Sequence, residues 1–135
     1  MFMPSRYRQS LLDECDGKLV LTVDRDRCLL LYPFPAWEVV EQQLNGLSGI
    51  DRRVRRLQRL MIGYACELDM DGNGRILLPQ QLRKYANMDK HIMLIGQGNK
   101  FELWDEETWN RQQEIWLAEE DEDEEVSDEL KSLRL

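Results

Sequence analysis

The sequence predicts an α+β fold made of two related halves. Three observations predict it. Short apolar runs bounded by turn residues read as strands, stretches with apolar residues every three or four positions read as short helices, and the same order of elements occurs twice. With 135 residues, the chain suits one compact unit or two small ones. Each half alone would be marginal, so packing between halves or between subunits is expected.

Taken in order, Lys18 to Asp24 (KLVLTVD) and Cys28 to Tyr32 (CLLLY) read as two strands. The polar link Asp24-Arg25-Asp26-Arg27 makes a tight connection between them. Pro35 near a first turn and Gly46 at an end bracket a helix with Trp37, Val40 and Leu44 on one face. Ser48-Gly49-Ile50-Asp51 has the pattern of a capping box for a helix DRRVRRLQRLMIGYA. Ile50, Val54, Leu57, Met61 and Tyr64 form its expected apolar stripe. In ELDMDGNGRILL, from Glu67 to Leu78, two extended pieces flank a glycine-containing turn. Pro79 then starts a short helix, His91 to Ile95 and Phe101 to Trp104 form a hairpin through Gly96-Gln97-Gly98-Asn99, and a helix begins near Glu106 with Trp109, Gln112 and Trp116.

The repeat follows from these elements. Pro4 corresponds to Pro79, Arg8 to Arg83, Tyr7 to Leu82, Cys28 and Leu30 to Phe101 and Leu103, and Trp37 to Trp109. The expected organisation is a first half over 1–47, a linking arginine-rich helix over 48–65, a second half over 66–118 and an acidic tail over 119–135. The second half carries its strand–turn–strand element before Pro79, whereas only Met1-Phe2-Met3 precede Pro4, so the first half is expected to lack its front hairpin.

Net charge is −8, which alone disfavours a nucleic-acid partner, but its distribution matters more. Residues 1–60 balance to +2, 61–110 to −3 and 111–135 to −7. The run AEEDEDEEVSDEL reads as a solvated tail that limits nonspecific DNA association or contacts a protein partner. No apolar stretch has transmembrane length, and the start is not a signal peptide. Cys15, Cys28 and Cys66 lack metal-site spacing and read as reduced thiols of a cytoplasmic protein. No nucleophile–base pair, phosphate loop or metal triad can be named, so an enzyme is not expected, nor a cofactor.

Three features have competing readings. Asp69-x-Asp71-x-Asn73-Gly74-x-Ile76 matches the opening of a calcium loop. Its twelfth position, however, is the neutral Gln80, and the bland reading is a tight turn that exposes Arg75. Arg52, Arg53, Arg55, Arg56 and Arg59 lie off the helix stripe and read as a nucleic-acid face, as intersubunit ion pairs or as plain solvation. Trp37, Trp104 and Trp109 read as packing residues and His91 as structural.

The combination PSRYR (Pro4 to Arg8), CLLLYPFPAWE (Cys28 to Glu38), RRVRRLQRLMIGYA from Arg52, DMDGNGRILLP (Asp69 to Pro79) and GQGNKFELWDEETW (Gly96 to Trp109) resembles the MraZ family over nearly all of 1–118. The resemblance implies two AbrB/SpoVT-like swapped-hairpin half-domains, closed rings, and repression of a division and cell-wall gene cluster through tandem promoter boxes in the nucleoid. It implies a D-x-x-G-R turn in each half that reads duplex DNA. Here only the second copy exists, with Asp71, Gly74 and Arg75. Arginine donates two parallel hydrogen bonds to guanine, so Arg75 is the expected groove contact. Asp71, Gly72 and Gly74 are expected to shape the turn. Arg6 and Arg8 read as phosphate contacts or salt bridges, and Arg83 and Lys84 as phosphate contacts or part of a solvated helix face. Two other functions stay open: a calcium-binding module using residues 69–80, and a structural oligomerisation protein without direct DNA contact.

Overall fold

The computed structural model of the chain describes residues 1–119 together with Glu129, Ser132 and Leu133. Most of the acidic tail therefore lies outside the described residues.

The observed elements are α1 (Ser5–Cys15), β1 (Lys18–Val23), β2 (Leu29–Pro33), α2 (Phe34–Asn45), α3 (Arg52–Gly63), β3 (Cys66–Asp69), α4 (Gln80–Tyr85), β4 (Ile92–Gly96), β5 (Phe101–Asp105) and α5 (Glu106–Ala118). The class is α+β, with one antiparallel sheet in the order β3-β1-β2-β5-β4. Helix–strand–strand–helix occurs twice, as α1-β1-β2-α2 and α4-β4-β5-α5. The two sets meet at the sheet centre, where Leu30 of β2 lies opposite Glu102 of β5. β3 crosses over to pair with β1, Lys18 opposite Asp69 and Leu21 opposite Cys66. The outer side of β4 has no strand neighbour among the described residues.

Side chains alternate across a strand, so this sheet carries an apolar cluster on each face. Leu19, Leu21, Val23, Leu29, Leu31 and Leu103 face one cluster, which Leu11 of α1, Leu82 of α4 and the chain around Met70, Ile76 and Leu78 complete. Val20, Leu30, Tyr32 and Trp104 face the other, completed by Trp37 and Leu44 of α2 and Met61 of α3. Thr22 is fully buried and donates its hydroxyl to the Met61 carbonyl, which ties α3 to β1; among the described residues no buried side-chain N or O lacks a partner. Three tryptophans seat α5: Trp104, Trp109 and Trp116 meet edge to face with ring centroids 5.7 to 5.8 Å apart.

The helix starts have local causes. Pro4, Pro33 and Pro79 hold extended backbone immediately before α1, α2 and α4, as the preset φ of proline allows. Asp105 caps α5 by accepting from the Thr108 N–H at 3.2 Å and also accepts from the Asp89 N–H. At α3 the expected capping box gives way to a simpler cap. Asp51 itself is the N-cap, accepting from the Arg53 N–H at 2.8 Å. Ile50 consequently precedes the helix and is 90% exposed, so it does not belong to the apolar stripe. The sequence reading assigned no element to residues 5–15. α1 forms there with only Leu11 buried, flanked by half-buried Tyr7, Leu12 and Cys15, among polar residues that mask the periodicity.

No helix among the described residues is long and apolar enough to cross a membrane.

Candidate nucleic-acid interface

The turn between β3 and α4 is built by one carboxylate and one glycine. Asp71 accepts hydrogen bonds on Oδ1 from the backbone N–H groups of Asn73 and Arg75, both at 2.9 Å. Its own N–H donates to the Arg75 carbonyl, and the Gly74 N–H donates to the Asp71 carbonyl. This is the local side-chain-to-backbone closure that aspartate favours. Gly74 has φ of +80°, and a Cβ there would overlap the Arg8 side chain. Gly72 has open space around its Cα and no positive φ, so the need for glycine rests on Gly74 alone, a narrower requirement than the sequence suggests.

The rest of the support comes from the far end of the chain. The Met3 N–H donates to the Gly74 carbonyl at 2.6 Å, the Ile76 N–H to the Met1 carbonyl at 2.8 Å, and the Met1 amino group to the Ile76 carbonyl at 3.1 Å. Phe2 and Arg75 form an isolated antiparallel bridge. The second extended piece of ELDMDGNGRILL therefore pairs with Met1–Met3, while the first pairs with β1. Arg8 of α1 donates Nε to the Met3 carbonyl at 2.7 Å and lies over Gly74. Burial alternates along the segment: Gly74, Ile76 and Leu78 are buried, whereas Arg75 and Leu77 point outward.

The candidate residues thus fall in three places. Arg8, Asp71, Gly74 and Arg75 meet at the turn, with Arg75 exposed. Arg6 is exposed on α1, its guanidinium 4.8 Å from the Tyr7 ring centre. Arg83 and Lys84 sit in the last turn of α4. Arg83 donates to the Asp89 carbonyl at 3.0 Å, and both line an open groove of about 550 Å³ with Leu78, Gln80, Asn87 and Met88.

The calcium reading meets a different geometry. The Asp71 oxygen is occupied by two backbone donors, and Gln80 is the first residue of α4 rather than a loop ligand. Among the described residues, no three His, Cys, Asp or Glu side chains converge as metal ligands.

The sequence reading missed the three N-terminal residues as part of this site. No local pattern marks them, because their partners lie more than seventy positions away. It also missed Tyr85, whose hydroxyl donates to the Asp24 carbonyl at 2.7 Å beneath the Arg27 guanidinium, joining α4 to the β1–β2 turn.

The fold is thus an α+β protein in which helix–strand–strand–helix occurs twice and an exposed arginine stands on a hydrogen-bonded turn. The family described as MraZ protein matches residues 1–60 and again 61–131. Proteins named "Transcriptional regulator MraZ" align along most of the chain. That of Thioalkalivibrio sulfidiphilus is 58% identical over 135 residues, covering 100% of this chain and 90% of that protein. That of Methylococcus capsulatus is 51% identical over 119 residues, 88% of this chain and 78% of that protein. That of Nitrosospira multiformis is 53% identical over 116 residues, 86% of this chain and 79% of that protein. The chain belongs to the MraZ family.

Proposed function

We propose that this chain is a transcriptional regulator that binds duplex DNA sequence-specifically, repressing the division and cell-wall gene cluster from tandem promoter boxes as a ring-shaped oligomer. The observation that carries the reading is the turn at Asp71–Arg75. It is fixed by backbone bonds to residues 1–3 and holds an exposed arginine at its edge. A turn whose backbone is already fixed has less to order on binding, and arginine matches the two acceptors of guanine. Arg75 takes the groove contact. Asp71 and Gly74 shape the turn. Arg6, Arg83 and Lys84 supply phosphate contacts, and Arg8 contributes by bracing Gly74.

The architecture proposed for this task is two tandem AbrB/SpoVT-like swapped-hairpin half-domains, 1–47 and 66–118, joined by 48–65. Three findings support it: the repeated order of elements, the two successive family matches, and the pairing of β3 with a strand of the other half. Exposed Phe2 and Leu77 beside the turn support self-association, through which several weak contacts act together on one duplex. The proposed location is the cytoplasm, on the nucleoid.

The test is binding of tandem promoter boxes at fixed salt by the folded protein and by Arg75→Ala. The expected loss is about 10- to 100-fold per contact, with relaxed discrimination at one base position. Unchanged affinity and selectivity would remove Arg75 from this role.

A further inference from the structure

A second basic surface lies on α3. Arg52, Arg55, Arg56 and Arg59, with Leu60, line an open groove of about 620 Å³. All four arginines are exposed, and the one ion pair on this helix among the described residues, Arg53 with Asp51, leaves them out. They stand three and four residues apart, a spacing at which like charges repel on a helix. A matching polyanion would relieve that repulsion.

The fold separates this surface from the Asp71–Arg75 turn. The turn rests on the cluster formed with α1 and α4, where Met70 and Ile76 are buried. α3 inserts Met61, with Leu57 and Ile62, into the cluster on the other face of the sheet, beside α2 and opposite Trp104. α5 packs on this same face through Trp109 and ends at Ala118. The next residues, 119–125, read EEDEDEE, seven carboxylates in succession. The segment follows α5 directly, and seven residues extend to about 25 Å at most.

We propose that the acidic segment 119–125 docks on the arginine face of α3 within the same chain and shields it from nucleic acid. Charge complementarity, the common face of the sheet and the position of the segment directly after α5 select this occupant over DNA. The inference does not rest on the role proposed for Arg75.

The test has two arms, both on the full chain. In the first, Arg52→Lys and Arg56→Lys keep the charge and add amines that a carbodiimide joins to nearby carboxylates. Mass spectrometry of a mixture of isotopically light and heavy chains should find links from 119–125 to these two positions within chains of one isotope. Absence of such links, or links joining light to heavy chains, would overturn docking within one chain. In the second, binding of a random-sequence duplex is measured at about 50 mM salt, where phosphate contacts are strong. Changing the seven acidic residues to their amides should raise affinity about tenfold. The gain should vanish when Arg52, Arg55, Arg56 and Arg59 are also changed to Gln, with helicity checked by circular dichroism. A gain that persists without the arginines would mean simple charge repulsion by the segment. Equal binding before and after amidation would make nucleic acid the occupant of α3. Either result refutes the proposal.

Discussion

The Asp71–Arg75 turn and helix α3 both present arginine, yet they are built in opposite ways. The turn offers one guanidinium on a backbone tied to Asp71, to Met1–Met3 and, through Arg8, to α1. The helix offers four on long side chains, outside any ion pair among the described residues. Under the proposed function the first, on a fixed backbone, tells one base from another. The second is a field, suited to any dense negative charge of matching length. Arginine content does not separate them. What separates them is how the backbone that carries each side chain is fixed, by turn and N-terminal bonds in one case and by helix bonds in the other.

If this contrast is right, the largest effect comes from Gly74→Ala. It places a side chain at φ of +80° and displaces Arg8 from the Met3 carbonyl. We expect a loss of about 2–3 kcal/mol in urea unfolding. Gly72→Ala, in open space, should stay within about 0.5 kcal/mol. Equal costs at the two glycines would erase the claim that the turn is locked at one point.

Asp71→Ala comes next. It strips the acceptor from two backbone N–H groups that water can partly replace, so about 1–2 kcal/mol is expected. Amide exchange at Asn73 and Arg75 should accelerate ahead of the sheet. An unchanged exchange rate would assign the rigidity to the N-terminal pairing instead.

On α3 the same measurement should give almost nothing. Arg52→Gln, Arg55→Gln, Arg56→Gln and Arg59→Gln should each shift unfolding by under about 0.5 kcal/mol. A larger cost at any one would show a structural partner and make the helix resemble the turn.

A further test probes the support beneath both surfaces. Burial, with Glu102, Asp24 and Asp26 nearby, pushes the Cys28 thiol far above its ordinary value near 9. Burial also raises Tyr32, with Asp24 and Glu102 adding to the effect. A raised folded value means that the unfolded chain loses these protons first. Stability is therefore intact below pH 9 and falls as pH rises above it. Half-buried Cys15 and Cys66 should accept an alkylating reagent before Cys28 does. Early labelling of Cys28, or a flat stability profile to high pH, would indicate a loosened β1–β2 pair.

The reading of the sequence was strongest where forces are local. The strands at Lys18 and Leu29, the bend at Gly98, the proline before α4 and the aspartate closing the turn all declare themselves within a few residues. It was weakest where a partner is distant. The strand-like chain after Gly74 does not reveal that Met1–Met3 complete it. Arg8 reads as one more surface cation until its contact with Gly74 appears. Helix α1 hides because one buried leucine orders eleven residues.

From the order of its residues alone this protein drew its class, its charge split and the arginine on the turn. Periodicity, proline geometry and glycine's freedom at positive φ are properties of short segments. Tertiary structure decided which segment supports that turn, and that the two arginine surfaces occupy opposite faces of one sheet. Those choices are set by alternation across β1 and by which strand joins its edge, and both depend on burying apolar side chains that lie far apart in the chain.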